Sequence, residues 1–273
     1  MKNLPDISIV GYGNIARHLA HAFFEKNIQI QQIIGRDANK GQPLAQSVNA
    51  KFCLPEEAAV NEQSLFFVAL ADDVALEFTD KILLNKHIAI VHTSGTLPSD
   101  LLKGKGAASY GVFYPFQTYS GEPDKTPFKN IPLVVEASDK TLSNQLHTIA
   151  KLLESNAVEL NQEDRLYLHL SGVFTNNFTN FMIGRVIEFL KEKRIDPALL
   201  EPLIKKTFEN LQSNKPLEKQ TGPAKRGDKK IMQKHLNVLK EHADLNNIYK
   251  MLSDSIESYY TKKSPDVKKH PGR

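Results

Sequence analysis

Gly11, Gly13 and Ala16 stand in the spacing G-x-G-x-x-A, directly after a short β-branched run and before a stretch of helical periodicity. Each small residue has its own use there. The first glycine permits a tight turn, the second lets the main chain approach a diphosphate, and the alanine lets helix and strand pack closely. The N–H groups that open the helix then face the anion. The turn Gly11, Tyr12, Gly13, Asn14 and Ile15 is therefore expected to cradle the diphosphate of a dinucleotide.

The end of the next strand discriminates between cofactors. An Asp or Glu there would accept from the ribose hydroxyls of NAD(H) but repel a 2′-phosphate, which needs a cation. Here Gly35 is followed by Arg36, with Lys40 as a second charge, so NADP(H) is the expected ligand. Asp37, one position late, keeps the NAD(H) reading open, and Arg36 could instead be a solvated surface residue. Leu70 and Ala71 end one apolar strand and Ser94 and Gly95 another, where the loops should run beneath the second half of the cofactor. Ser94 either bonds the carboxamide or substrate, or caps the turn before Leu97.

A second group of polar residues, His169, Ser171, Thr175, Asn176, Asn177 and Asn180, lies in an otherwise apolar helical stretch. Seven residues make almost two helical turns, so His169 and Asn176 share one line. Burying such groups without partners costs roughly 1–3 kcal/mol each, so they either form an internal network or face a ligand. As chemistry, His169 would give or take the proton that accompanies hydride transfer, because an imidazole's ordinary pKa of about 6.5 suits both directions. Asn176 or Asn177 would orient the substrate; the alternative is a satisfied core histidine with asparagines bonding between helices. Tyr114, Gln117 and Tyr119 follow a predicted strand, where a ring could stack on a nicotinamide and an amide could bind substrate, or both could simply pack. In TGPAKRGD (residues 221–228), Arg226 could pair with a carboxylate or phosphate, with Asp228 capping the next helix, or the segment is a solvated basic turn.

These residues need elements to hold them. Strands are predicted at Asp6–Gly11, Ile28–Ile34, Ser64–Ala71 and His87–Ser94, with helices at Asn14–Glu25 and Asp72–Leu84. Strands apolar along their whole length, alternating with helices, predict a mainly parallel sheet covered on both faces, an α/β fold of Rossmann type. Further strands are expected at Ala107–Phe113, Ile131–Ala137 and Ala157–Leu160, and a helix at Asp139–Glu154. Beyond Asn161 the pattern is all helical: one long helix from Glu163 to Arg194, then Pro197–Gln212 and Lys229–Tyr260. The expected division is a binding domain over 1–161, a helical dimerisation and substrate domain over 162–262, and a basic disordered tail over 263–273. Phe174, Phe178, Phe181 and Phe189 exceed what one core face requires, which suits a homodimer interface or an intrachain bundle.

Composition narrows the function classes. The net charge of +4 in 273 residues sits largely in the C-terminal tail, which argues against a nucleic-acid surface. Cys53 is the only cysteine, so an intrachain disulfide and a cysteine-based zinc site are excluded, and no metal site is expected. No apolar run reaches the roughly 18 residues of a membrane span, and the first strand begins close to Met1, so a cytoplasmic protein is expected.

VGYGN at Val10–Asn14, HTSG at His92–Gly95, YPFQTYS at Tyr114–Ser120, HLSGVFTNNF at His169–Phe178 and TGPAKRGD together resemble a bacterial family of Rossmann-like oxidoreductases with a C-terminal domain of unknown function. The family is similar in architecture to pyrroline-5-carboxylate reductase and to proteins with a phosphogluconate-dehydrogenase-like helical C-terminal domain. The resemblance implies NADP binding, a helical half that often dimerises, and a small-molecule site in the cleft between. This chain departs from relatives in carrying Tyr114-Pro115 where many have His-Pro, and in lacking a Lys between Asp164 and Phe189. The expectation is an NADP-dependent oxidoreductase moving a hydride to or from a small carbonyl, imine or alcohol. The alternatives are a non-catalytic NADP(H)-binding sensor or scaffold and, more distantly, a protein binding another adenine-containing ligand such as S-adenosylmethionine.

Overall fold

The run DISIV forms β1 (Asp6–Val10), buried along four of its five residues. It turns through Gly11 into α1 (Asn14–Glu25), whose inner face buries Ala16, Leu19, Ala20 and Phe23. The computed structural model describes residues 4–59, 64–79, 88–103, 107–123, 128–213 and 215–263. β2 (Ile30–Ile34), α2 (Ala38–Ser47), β3 (Lys51–Cys53), β4 (Ser64–Val68), α3 (Asp72–Thr79) and β5 (Ala89–His92) follow. β6 (Ser109–Pro115), β7 (Pro132–Ala137), α4 (Lys140–Leu152) and β8 (Asn156–Glu159) complete an eight-stranded sheet in the order β3-β2-β1-β4-β5-β6-β7-β8.

All pairs are parallel except β6 with β7. At that junction Gly111 is required, because a Cβ there would lie 2.1 Å from the carbonyl oxygen of Glu136. Strand order reverses between β1 and β4, which opens a crevice at the carboxyl ends of the strands.

Neighbouring residues along a strand point to opposite faces. Phe67 accordingly joins the α1 side of the core with Phe23 and Phe113, while Phe66 joins the other side with Phe78 and Ile90. Phe67 meets Phe23 and Phe113 edge-on at centroid distances of 5.2 and 5.1 Å, contacts worth about 1 kcal/mol each beyond their buried area.

The fold class is that expected from the sequence, with local differences. α2 and β3 were not anticipated: Pro43 lies within α2 and β3 has only three residues, so neither shows a periodicity. β6 runs two residues further than predicted and takes in Tyr114 and Pro115. The helix expected over Asp72–Leu84 is described as far as Thr79, and the residues beyond it, like the tail at 264–273, lie outside the described residues.

Met1–Thr179 and Asn180–Arg273 are two compact units. Strands end at Glu159, close to the division expected at residue 161, but the next helix, α5 (Gln162–Gly172), and the turn after it group with the sheet. The predicted long helix is α5, a π-helical segment at Val173–Phe178, and α6 (Thr179–Glu192). It is not the buried element its polar stripe suggested. α5 buries only Arg165, and Phe174 and Phe178 are 60% and 49% exposed.

The second unit holds α7 (Glu201–Leu211), α8 (Pro223–Arg226), α9 (Lys229–Val238) and α10 (Ala243–Lys263). The single helix predicted over Lys229–Tyr260 is thus two. Arg185 binds Asp244 at 2.7 Å and Phe189 meets His242 edge-on, which ties α6 to the start of α10.

Candidate functional site

The glycine turn has the geometry its spacing implies. Gly11 adopts φ +111°, and a Cβ there would lie 2.4 Å from the Ala69 carbonyl oxygen, so the close approach of β1 to β4 demands glycine. Gly13 precedes α1 without any side-chain cap, and the space its Cβ would enter is empty to 4 Å. The first N–H groups of α1 are therefore unclaimed by a capping side chain and open to an anion. A cavity of about 260 Å³ lies against this turn, lined by Gly11, Tyr12, Gly13, Ile34, Gly35, Arg36, Ala69, Leu70, Ala71, Val74 and Phe78. Asn14 and Ile15 open α1, and Ile15 lines the neighbouring cavity instead.

At the end of β2 the charges divide by role. Asp37 caps α2, accepting from Asn39 N at 3.0 Å, and lies 3.8 Å from Lys40 Nζ. Its carboxylate is thus engaged at a helix start. Arg36 is exposed at the cavity edge and forms no ion pair among the described residues. Bare backbone, an uncapped helix start and a free guanidinium around one cavity without a carboxylate in its lining fit a phosphorylated dinucleotide.

A second cavity, about 410 Å³, is lined by Ile15, Tyr114, Pro115, Phe116, Gln117, Thr118, His169, Gly172, Val173, Thr175, Asn176 and Asn177. The Tyr114 hydroxyl lies 3.1 Å from His169 Nδ1. Burial pushes the Tyr114 pKa up to about 12, against the opposing charge of Arg165. Gly95 makes the pairing fit, since a Cβ there would lie 2.6 Å from His169 Nδ1 and 2.8 Å from Tyr114 Cζ. Gly172 likewise admits the Phe116 ring, 2.8 Å from where its Cβ would be. The structure therefore brings His169, Asn176, Asn177, Tyr114 and Gln117 to one cavity. Tyr119 instead packs between His18 and Phe128.

Residues 6–95 match the family described as NADP oxidoreductase, coenzyme F420-dependent, and residues 131–256 match Domain of unknown function (DUF2520). A solved structure from Bacteroides fragilis, described as an NADP oxidoreductase, is 35% identical, covers 93% of this chain and 98% of its own, and superposes with a TM-score of 0.84. This chain belongs to that NADP oxidoreductase family. A reductive aminase from Aspergillus terreus in complex with NADPH and ethyl levulinate shares the fold at 15% identity (TM-score 0.67, 95% of each chain). So does a Plasmodium falciparum pyrroline carboxylate reductase with NADP bound, at 14% identity (TM-score 0.56, 94% of this chain and 99% of that one). No curated protein matches the sequence.

In this family member the residue that holds the site together is one the sequence reading passed over. Arg165 is fully buried; its Nη1 donates to the carbonyls of Ser94 at 3.0 Å and Leu97 at 2.8 Å, and its Nη2 lies 3.3 Å from Glu136 Oε2. Glu136 also accepts from Ser99 Oγ. One guanidinium thus fastens the turn after β5 to α5 one helical turn before His169. Arg165, His169, Gly172 and Asn176 fall at i, i+4, i+7 and i+11, a spacing readable in the sequence as one helix face.

Ser94 resolves as a cap. Its Oγ accepts from Thr96 N at 3.0 Å and Leu97 N at 3.1 Å. Thr96 in turn donates to Asp72. His92, just before it, accepts from Ser94 N through Nδ1 at 3.2 Å, with Nε2 3.2 Å from the Pro98 carbonyl. Burial, then the charge of Arg165, lowers the His92 pKa from 6.5 to about 4. The unfolded chain binds a proton near pH 6.5 that the folded chain refuses until about pH 4, so stability should fall as pH drops through that window. The loss approaches about 3 kcal/mol at its acid end. Urea titrations from pH 7 to pH 4 read it, and a slope in that window unchanged in His92→Gln would show that another group is responsible.

Arg226 ends α8 in the second unit, exposed and without an ion pair among the described residues. Asp228 caps α9 by accepting from Ile231 N at 3.2 Å, as predicted. Gly222 and Gly227, at φ +105° and +70°, bracket α8 and confine the helical part of TGPAKRGD to four residues. Among the described residues no His, Cys, Asp and Glu cluster could hold a metal ion, and no helix is long and apolar enough to cross a membrane.

Proposed function

We propose that this chain binds NADP(H) across the carboxyl ends of β1, β2 and β4 and catalyses hydride transfer to or from a small carbonyl, imine or alcohol. Gly11, Tyr12, Gly13, Asn14 and Ile15 hold the diphosphate, Arg36 the 2′-phosphate, and Leu70, Ala71, Ser94 and Gly95 the loops beneath the nicotinamide half. Bound NADPH supplies the two-electron donor. His169 moves the accompanying proton, Asn176 and Asn177 orient the substrate's polar atom, and Tyr114 and Gln117 contact the substrate. The observation that carries the reading is the uncapped start of α1 sharing a carboxylate-free cavity with Arg36.

Side-by-side fluorescence titrations with NADPH and NADH test it. NADPH should bind tighter, and Arg36→Ala should weaken NADPH at least about tenfold, the worth of one charged phosphate contact, with little effect on NADH. Equal losses for both cofactors would remove the 2′-phosphate assignment.

The chain is further proposed to act in the cytoplasm, as a homodimer. In the first unit Leu166, Tyr167, Leu170, Phe174 and Phe178 leave α5 and the π-helical segment with an uncovered apolar face. In the second, Phe181, Leu199, Leu203 and Phe208 do the same for α6, α7 and the short turn at Pro197–Leu200 that precedes α7. Apolar faces of this extent mark contact surfaces. Sedimentation velocity at micromolar concentration should give twice the chain mass, and a monomer there would refute the dimer.

A further inference from the structure

We propose that Tyr114 and His169 form a two-step proton relay that suits the site to an uncharged ketone or aldehyde, an inference that rests on the NADP(H) reading above.

Three observations carry it. First, the Tyr114 hydroxyl and His169 Nδ1 are paired at 3.1 Å in the space Gly95 leaves. With the phenol donating to Nδ1, the neutral imidazole carries its proton on Nε2, the nitrogen left for the substrate. Second, among the described residues the cavity lining contains no Lys, Arg, Asp or Glu. It lacks both the cation that would hold a substrate carboxylate and the anion that would steady an iminium. Ile15, Phe116 and Val173 supply apolar wall, and Gln117, Asn176 and Asn177 neutral hydrogen-bonding groups. Third, burial pushes the Tyr114 pKa up to about 12 and so keeps the phenol protonated as a donor to Nδ1, while the charge of Arg165 opposes that rise in part.

The chemistry of the two substrate types separates them. An iminium is already protonated, so hydride addition yields a neutral amine and no proton need be delivered. A carbonyl gains an electron pair on oxygen as its carbon accepts the hydride, and that oxygen needs a proton. Here His169 Nε2–H gives its proton to the oxygen while the Tyr114 hydroxyl gives its own to Nδ1. The products are the alcohol, a neutral imidazole of the opposite tautomer and a Tyr114 phenolate facing the Arg165 charge. Nδ1 then returns its proton to the phenolate oxygen as water supplies one to Nε2, which restores both residues at the net cost of one proton from solvent.

Nitrogen-15 spectra of the histidine side chains in the cofactor-free protein, assigned with His169→Gln, give a readout independent of turnover. Wild type should show His169 protonated on Nε2, and Tyr114→Phe should shift it towards a tautomer mixture. A wild-type His169 protonated on Nδ1 overturns the relay. Rates of NADPH oxidation with cyclohexanone, benzaldehyde, 2-methyl-1-pyrroline and pyruvate test the substrate class. The two neutral carbonyls should exceed the imine and the keto acid at least about tenfold in kcat/KM, and Tyr114→Phe should lower kcat for them about a hundredfold with KM and NADPH affinity held. Preference for the imine or the keto acid, no turnover of either neutral carbonyl, or an undiminished Tyr114→Phe variant refutes the inference while NADPH binding leaves the underlying reading intact. Absence of NADPH binding overturns both.

Discussion

Gly13→Val is expected to abolish NADPH binding while leaving the chain folded. Gly13 has φ −72°, a value any residue adopts, and nothing in the protein lies within 4 Å of the Cβ it lacks. The cost to the fold is a poorer start to α1, about 1 kcal/mol. The branched side chain would instead occupy the space through which a diphosphate reaches the N–H groups of the first helical turn. Affinity should fall at least about a hundredfold, some 2.7 kcal/mol. Gly11→Val is the contrasting case: at φ +111° and 2.4 Å from the Ala69 carbonyl oxygen, it should unfold the protein rather than merely empty the site. Thermal melts with parallel titrations distinguish the two. If Gly13→Val kept wild-type affinity, the diphosphate would have to lie elsewhere.

Arg165→Met should cost about 3 kcal/mol of stability, the usual scale for removing one partner from a buried charged network. The methionine keeps much of the buried volume, so the loss measures the hydrogen bonds and charge rather than a cavity. The carbonyls of Ser94 and Leu97 would lose this donor, and Glu136 would keep Ser99 as its partner among the described residues. Urea denaturation of the full chain checks this, with Arg226→Ala as an exposed control expected within about 0.5 kcal/mol of wild type. A loss below about 1 kcal/mol for Arg165→Met would mean that the turn after β5 is held by its own caps.

Arg36 and Arg165 show what sequence reading can single out and what it cannot. Arg36 could be singled out as a candidate because its position depends on local order: a glycine turn, a strand, then a charge at the strand's end. β1, α1 and α4 declared themselves for the same reason, each by an uninterrupted period; the structure adds a cap at Asp139, which accepts from Thr141 N and Leu142 N at the start of α4. Arg165 was not legible, because its partners Ser94, Leu97 and Glu136 are far away in the chain and an arginine near a helix start looks like any solvated one. The exposure of Phe174, Phe178 and Phe181 was hidden similarly, since periodicity tells which residues want cover but not what covers them. The reversed direction of β7 depends on pairing rather than composition, and its one trace is Gly111.

The sheet ends at each margin on a strand of three or four residues, β3 at one side and β8 at the other, the latter bearing Glu159 beside His147. Ladders that short offer another chain few free N–H and C=O groups to extend, and a charged side chain discourages it further. Strand-by-strand growth between molecules, the route into fibrils, is thereby starved of a template, and whatever self-recognition this enzyme family member has is left to its helices.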